Sequence, residues 1–293
     1  GKWNLYALGV ALDGLVKLHD PEHTEEEDPQ QPQSGDIQLH ADIESALERY
    51  DSVFENAFSD IFAKKLGLEY LPKPSKEQLR DNTDKGGGGG GSLLVRLFNL
   101  MQRSKTDFTM LFRKLAFLDP SKTGDVYKGL GDLPNDFASI LLGEEIDDKQ
   151  IPEATSLWIR WINDYLDEVR HQRGQHQRGQ HHSDTHSDSF VQEWRKALLQ
   201  NNPRLVLRNY AAQRAIMEAE NGNYHALQTL YAAIQTPFAL SVDEAALLHG
   251  AEGHGSEGCS EIKLDRTADE NVAEFEDPAP QWAKKQPGIA QLS

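Results

Sequence analysis

The 293-residue sequence predicts an all-α fold, and three observations lead to that prediction. Apolar residues recur at spacings of three and four over several long segments, which is the period of an amphipathic helix. Capping residues, proline and glycine bound these segments. No segment shows the strict apolar–polar alternation of a half-buried strand. The chain is therefore expected to be a set of packed helices.

The first strongly patterned helix is predicted over 42–66. Its apolar residues form one continuous face, and Phe58 is expected in the core. Asp42 is the predicted N-cap, since a short carboxylate side chain can accept a hydrogen bond from the first free amides. Two lysines followed by Gly67 predict the end of the helix, because a glycine commonly takes the left-handed conformation there.

Further helices are predicted at six places along the chain. Thr106 or Asp107 is the expected cap of the second of them, and Trp194 is expected to point inward from the fourth. The fifth should begin at Asn202–Pro203, because proline fits the first helical position. The predicted segments are 93–101, 108–118, 157–169, 190–200, 203–220 (ended by Asn221–Gly222) and 225–234.

Polar stretches of low complexity interrupt these patterns. They contain an acidic run, six consecutive glycines (86–91) and a tandem His-Gln-Arg-Gly-Gln repeat. Such segments bury too little apolar surface to offset the entropy lost on ordering. We therefore expect one helical region over 1–293, with flexible inserts at about 20–35, 81–92, 171–189 and 250–277.

The charge balance excludes some classes of function. The net charge is −17, from 30 basic and 47 acidic side chains. Binding to nucleic acid or to an anionic membrane surface needs clustered Lys and Arg, so both are disfavoured. A single cysteine, Cys259, allows no internal disulfide. No apolar run approaches the roughly 20 residues of a membrane span.

No group of residues predicts a complete active site. A histidine cluster lies in a glycine-punctuated repeat, which supplies no frame for metal geometry. The calcium-like loop that starts at Asp119 has Leu130 where a bidentate glutamate is needed. Cys259 has no histidine placed to activate it. We therefore assign no catalytic, cofactor-binding or metal residue. The histidines concerned are His171, His176, His181, His182 and His186.

Three arginines of the predicted 203–220 helix are the remaining candidates. Arg204, Arg208 and Arg214 could hold a phosphate group, or they could pair with Glu218, Glu220 or helix carbonyls. Ion pairing is the ordinary state of arginine at such positions. It is therefore the expectation here.

Several blocks of the sequence resemble the selenoprotein O family. The most specific is Asn-Pro-Arg-Leu-Val-Leu-Arg-Asn-Tyr-Ala-Ala-Gln (202–213), followed by Glu-Asn-Gly (220–222). The opening Gly-Lys-Trp-Asn-Leu and the block at 100–115 also resemble the family, as do 47–54 and the closing 280–288. The blocks follow the family order. The resemblance is to the C-terminal half of that family.

The resemblance implies a protein-kinase-like fold, of which this chain would be the helical C-terminal part. It implies an AMP-transferring pseudokinase that uses ATP with Mg²⁺ or Mn²⁺ to modify hydroxyl side chains of proteins. The family's nucleotide- and metal-binding residues would precede Gly1. We therefore expect this chain alone to be inactive, with no cofactor of its own. Its expected partners are the upstream kinase-like core and, through that core, protein substrates.

Other hypotheses stay open at the level of sequence. The chain could be a free-standing helical interaction scaffold, or a histidine-dependent metal-binding protein. Long inserts favour a eukaryotic source, which would imply a mitochondrial location; a bacterial member would be cytoplasmic. The closing run to Ser293 resembles a family terminus in which a redox-active selenocysteine comes next.

Overall fold

A computed structural model describes ten parts of the chain. The chain forms two compact units, 1–61 and 62–293. Within these parts every regular element is a helix, which confirms the helical prediction, and none is long and apolar enough to cross a membrane. The described residues are 2–19, 39–72, 92–122, 124, 126–134, 137–143, 146–176, 186–249, 266–276 and 283.

The first unit is an antiparallel pair of helices, α1 (Lys2–His19) and most of α2 (Ala41–Lys65). The Lys2 ammonium lies 2.6 Å from an Asp51 carboxylate oxygen, and the backbone N–H of His40 donates to Asp13 at 2.6 Å. Between these contacts Gly9 is buried so closely against Ile43 that an added Cβ would lie 2.7 Å from its side chain. The pair is therefore joined along one narrow line.

The start of α2 corrects the predicted cap. The helix begins at Ala41, and the preceding His40 accepts the Asp42 N–H through Nδ1 at 3.3 Å. Asp42 lies in the first turn instead, where a negative charge still favours the helix dipole. Phe58 is only partly buried, so its assignment to the core was wrong.

The described residues of the second unit contain the last turn of α2 and nine further α-helices. The elements are α3 (Leu93–Ser104), α4 (Phe108–Lys114), α5 (Phe137–Leu141), α6 (Ile151–His176), α7 (His186–Asn201), α8 (Asn209–Glu220), α9 (His225–Gln235), α10 (Val242–His249) and α11 (Arg266–Ala273). Short 3₁₀ turns lie at Leu115–Phe117 and Leu130–Asp132.

The core of the second unit is built on the aromatic stripe of α6. Trp158, Trp161 and Tyr165 are fully buried, as the helical spacing predicts. Each polar atom finds a partner: Trp158 donates to the Ser104 hydroxyl at 2.8 Å, and Tyr165 donates to the Leu66 carbonyl at 2.7 Å. Trp194 of α7 is also buried against this core, which confirms its predicted inward position.

A second apolar cluster joins α8 and α9 to residues after α11. Tyr210, Ala211 and Leu230 pack there with Phe275 and Ala283. Phe275 and α11 fall inside the predicted insert 250–277, so that prediction was wrong for 266–276, while 250–265 lies outside the described residues.

Two more boundaries differ from the prediction. The fifth predicted helix starts at Asn209 instead of Asn202–Pro203, because Arg208 occupies the N-cap in extended conformation. The predicted insert 171–189 is too wide, since 171–176 belong to α6 and 186–189 to α7. Gln172 is buried there. Residues 177–185, 20–35 and 81–91 lie outside the described residues, and Ser92 is the N-cap of α3.

Candidate functional site

A buried polar centre in the second unit is the strongest concentration of charge that the described residues form. At its middle, Arg113 of α4 meets Glu244 of α10 in a two-point ion pair, with Nε 2.6 Å and Nη2 2.7 Å from the two carboxylate oxygens. Both side chains are only 6% exposed. The remaining donors of Arg113 reach the carbonyls of Asn202 at 2.6 Å and Ala239 at 2.8 Å. This guanidinium is therefore fully committed to the protein itself.

Asn202 ties this centre to two other helices. Its side-chain amide donates to the carbonyls of Lys65 at 2.8 Å and Leu198 at 2.9 Å. Its side-chain oxygen accepts from the Lys65 ammonium at 3.3 Å, and burial lowers the pKa of that lysine. The predicted N-cap residue is thus a buried hub between the ends of α2 and α7.

The second candidate arginine, Arg208, is paired across the fold. Its guanidinium lies 2.7 Å from Asp107, and both side chains are largely buried. Asp107 also caps α4 by accepting the Met110 N–H at 2.9 Å, which confirms the sequence expectation of a cap there. One carboxylate therefore holds both a helix start and the segment that leads into α8.

The first candidate arginine, Arg204, is bound by two carboxylates from the chain's end. It donates to Asp269 of α11 and to Glu276. Burial raises the pKa of Glu276, although Arg204 opposes that rise. Burial acts against the charge of Arg204 too, yet its pKa is raised because two carboxylates face it. The pKa of Glu276 rises because burial outweighs the effect of Arg204, and the nearby Glu244 adds repulsion.

The third arginine completes the pattern. Arg214 of α8 donates to Glu218 at 3.2 Å and to Glu274 at 2.5 Å. Its guanidinium also lies over the ring of Phe275, 5.4 Å from the centroid. All three candidate arginines are thus ion-paired, and the expectation of pairing is confirmed; Glu218 is one of the two partners named for it from the sequence.

Cavities near these groups are small. A space of about 50 Å³ lies beside Arg113 and Arg204, and a space of about 170 Å³ lies between Gly67, Gln172 and Trp194. Ligand pockets for molecules of nucleotide size measure roughly 300–1,000 Å³. The first space suits water molecules, which need a few polar partners each. Neither space accommodates ATP.

Gly67 shows why the second space has its shape. Its backbone has φ +62°, and an added Cβ would lie 2.8 Å from Nε1 of Trp194. The glycine predicted to end α2 is therefore needed twice, once for the turn and once for the approach of the indole. The wall of this space carries Arg173 against Glu193 at 3.5 Å, so its charges are also matched.

Other candidates from the sequence do not converge. Asp119 closes a local turn by accepting the Ser121 N–H at 3.0 Å. Burial alone would raise the pKa of Asp119, but the bonds from Ser121 and nearby cations hold it below the ordinary value. His171 lies on α6, and the backbones of His176 and His186 belong to α6 and α7. His181, His182 and Cys259 lie outside the described residues.

Comparison of the sequence with known proteins shows the family of this chain. The family model "Protein adenylyltransferase SelO" matches residues 1–235. The chain belongs to the SelO family. Curated relatives named "Protein nucleotidyltransferase YdiU" agree: that of Vibrio atlanticus is 27% identical over 82% of this chain and 34% of its own length. Those of Tolumonas auensis (25%; 87% and 35%) and Pectobacterium atrosepticum (27%; 81% and 34%) are similar.

The SelO match ends before the partners of two of its buried arginines. Arg113 and Arg204 lie within 1–235, whereas their partners Glu244, Asp269 and Glu276 lie beyond it. Sequence reasoning missed the roles of Arg113 and Glu244. The available signal was the arginine inside the family-like block 100–115; nothing local in the sequence marked its partner, because the two are 131 residues apart.

Proposed function

We propose that this chain is the helical supporting part of a SelO-family protein that transfers AMP from ATP onto hydroxyl side chains of proteins. The observation that carries the proposal is the family match over 1–235. The chain spans about a third of the length of the curated relatives it matches, and the proposed activity is assigned to the whole protein.

The described residues do not fit ATP with a divalent cation. Within the described ranges no three His, Cys, Asp or Glu side chains group in a way that could hold a metal ion. Beside the 50 Å³ space Glu244 pairs with Arg113 and Glu276 with Arg204, and a nucleotide phosphate would have to displace these two carboxylates. Nucleotide and metal are thus assigned to residues outside those described.

The role of the chain is then mechanical support. Its arginine centre fixes α4, α8, α10 and α11 relative to the segment 202–208. A buried network of this kind is rigid because breaking one partner leaves another charge stranded. In the proposed protein, this rigid body would carry the kinase-like core as its partner.

Calorimetry of residues 1–293 with ATP and Mg²⁺ tests the proposal. We expect no binding heat from the chain alone and AMP incorporation by the full-length gene product, followed with labelled ATP. Stoichiometric, Mg²⁺-dependent binding by 1–293 would show that the chain carries a nucleotide site of its own. A full-length product that binds ATP but transfers no AMP would favour a scaffold.

A further inference from the structure

The segment 266–276 is held in the second unit in the manner of a bound peptide. Its helix α11 has eight residues, fewer than the roughly 12–15 that an isolated helix needs to be even marginally stable in water. From Asp269 to Glu276, Phe275 is the one buried residue, and the other seven are partly or fully exposed. A short helix with a single buried aromatic anchor is a common form of a peptide that lies in a groove.

The anchor of this segment enters an apolar cluster that two helices share. Phe275 packs there with Tyr210 of α8 and Leu230 of α9. The Tyr210 hydroxyl donates to the Phe275 carbonyl at 3.2 Å, and the Arg214 guanidinium lies 5.4 Å from the centroid of the Phe275 ring. The cluster therefore recognises both the aromatic ring and the backbone of the same residue.

Two arginines beside the cluster pair with carboxylates on both sides of the anchor. Arg204 donates to the carboxylates of Asp269 and Glu276, and to the Asp269 carbonyl at 3.3 Å. Arg214 donates to Glu274 at 2.5 Å. The segment thus supplies the negative charges and its receiving site the positive ones. All of these groups belong to the second unit.

The charge pairs that hold the segment differ in strength. The Arg214–Glu274 pair is partly exposed, at 38% and 55%, and pairs of this kind contribute little to stability. The Arg204 pairs are more buried, but burial also raises the pKa of Glu276, so the ionised carboxylate is held there at a cost. Release of the segment returns Glu276 to water and recovers that cost. Both features lower the free energy needed to open the site.

We propose that Arg204, Arg214 and the apolar cluster of α8 and α9 form a docking site for an acidic segment of a partner protein, and that residues 266–276 occupy this site in cis as its competitor. The partner segment carries a phenylalanine with a carboxylate directly before it, one directly after it and a third six residues earlier, as the cis segment does. The cis segment has a high local concentration because it belongs to the same chain. This proposal goes beyond AMP transfer and does not depend on it.

Peptide binding to the full chain tests the proposal. The probe is a fluorescein-labelled peptide with the sequence of residues 266–276, and fluorescence anisotropy follows its binding to 1–293. Phe275→Ala in the chain removes the anchor of the cis segment, so a larger fraction of sites is open. We expect this variant to bind one probe per chain with a Kd at least about tenfold lower than that of the wild-type chain. Phe190→Ala is the matched control and should bind as the wild type does, because the Phe190 ring lies against Arg173.

Further variants identify the contacts that bind the probe. Arg204→Glu, added to the Phe275→Ala chain, should raise the Kd at least about tenfold, and so should a probe whose phenylalanine is replaced by alanine. If the Phe275→Ala chain does not fold, Glu274→Lys opens the site instead, because its charge repels Arg214. Absence of binding to both opened chains would overturn the proposal, as would equal binding of the probe without its phenylalanine.

Selection from random peptides displayed on phage tests the class of partner. The opened chain is the bait, and the free probe elutes the bound phage. We expect the enriched peptides to carry an aromatic residue between carboxylates. Enrichment of basic peptides would overturn the proposal. Dimers of the wild-type chain that dissociate when the probe is added, measured by analytical ultracentrifugation, would show that a second copy fills the site and would overturn its assignment to a different protein.

Discussion

Individual residues of the SelO match stabilise the fold through long-range polar contacts. Arg113 joins α4 to α10 and to the segment after α7, while Asn202 joins the ends of α2 and α7. Two-point arginine–carboxylate pairs in buried surroundings are strong and geometrically specific, but each charge depends on the other. Residue-scale predictions therefore concern what happens when one member is removed.

Arg113→Ala should lower the free energy of unfolding of the second unit by about 3–5 kcal/mol, because Glu244 would remain buried without its partner. Arg103→Ala is the matched control: the Arg103–Glu153 pair is exposed, and such pairs contribute about 0–1 kcal/mol. Urea unfolding followed by far-UV circular dichroism measures both. If both variants lose the same free energy of unfolding, the buried Arg113–Glu244 pair contributes no more to stability than an exposed pair.

Glu276 should make stability depend on pH. Burial raises its pKa above the ordinary value of 4.5, so the folded state holds the proton more tightly than the unfolded state. Stability from this group is full below the unfolded pKa and falls as pH rises through the folded pKa. Relative to Glu276→Gln, the wild-type chain should lose melting temperature as pH increases from about 4 upward. A constant difference across thermal melts would contradict this.

At the scale of elements, helical spacing in the sequence predicted most helices, and tertiary contacts decided their ends. The stripe Trp158–Tyr165 is local information, so α6 was recognised from it. Its extension to His176 depends on Gln172, whose polar sequence neighbours suggested a flexible repeat. In the structure Gln172 accepts from the Glu69 N–H and donates to the Tyr70 carbonyl, which no local pattern reveals.

Gln172→Ala should therefore destabilise the second unit by about 1–3 kcal/mol, since it removes a buried amide that bonds the Glu69 N–H and the Tyr70 carbonyl. Gln200→Ala, on an exposed position of α7, should change stability by less than about 0.5 kcal/mol. Chemical denaturation compares the two variants. Equal changes in stability for the two variants would contradict the role of Gln172 in holding the end of α6.

The start of α8 shows a different limit of sequence reasoning. Asn202–Pro203 has the composition of a helix start, but Asn202 is used as a buried hub and Arg208 is held by Asp107. These long-range bonds keep 203–208 out of the helix, so propensity is overridden. The candidate arginines were correctly expected to be paired. The partners of Arg208 and Arg204 could not be predicted from the sequence, because Asp107 and Asp269 are 101 and 65 residues away in the chain.

For the whole molecule, the structure separates a family-matched body from a closing segment that completes it. Residues 236–276 supply Glu244, Asp269, Phe275 and Glu276 to a centre whose arginines lie in the matched part. The residues after the family match thus complete a core that begins inside it.

Truncation after Leu240, which removes 53 residues, should therefore strongly lower the stability of the second unit. It strands Arg113 and Arg204 and removes Phe275 from the cluster around Tyr210. We expect a melting temperature at least 10 °C lower, or loss of a cooperative transition, since two buried pairs of about 3–5 kcal/mol each are broken. Truncation after Ala283 is the control. An unchanged transition without 241–293 would show that the arginines find other partners.

The position of Glu244 also has a consequence for biosynthesis. Arg113 leaves the ribosome 131 residues before its carboxylate, which at about 5–20 residues per second is a delay of roughly 7–26 s. During that interval α4 carries a guanidinium that cannot be buried without cost, so the second unit stays open although Trp158, Trp161 and Trp194 all precede Glu244 in the chain. The native centre forms only when the closing segment emerges. A ribosome stalled before Glu244 would therefore display an unfinished core, open to chaperones and proteases.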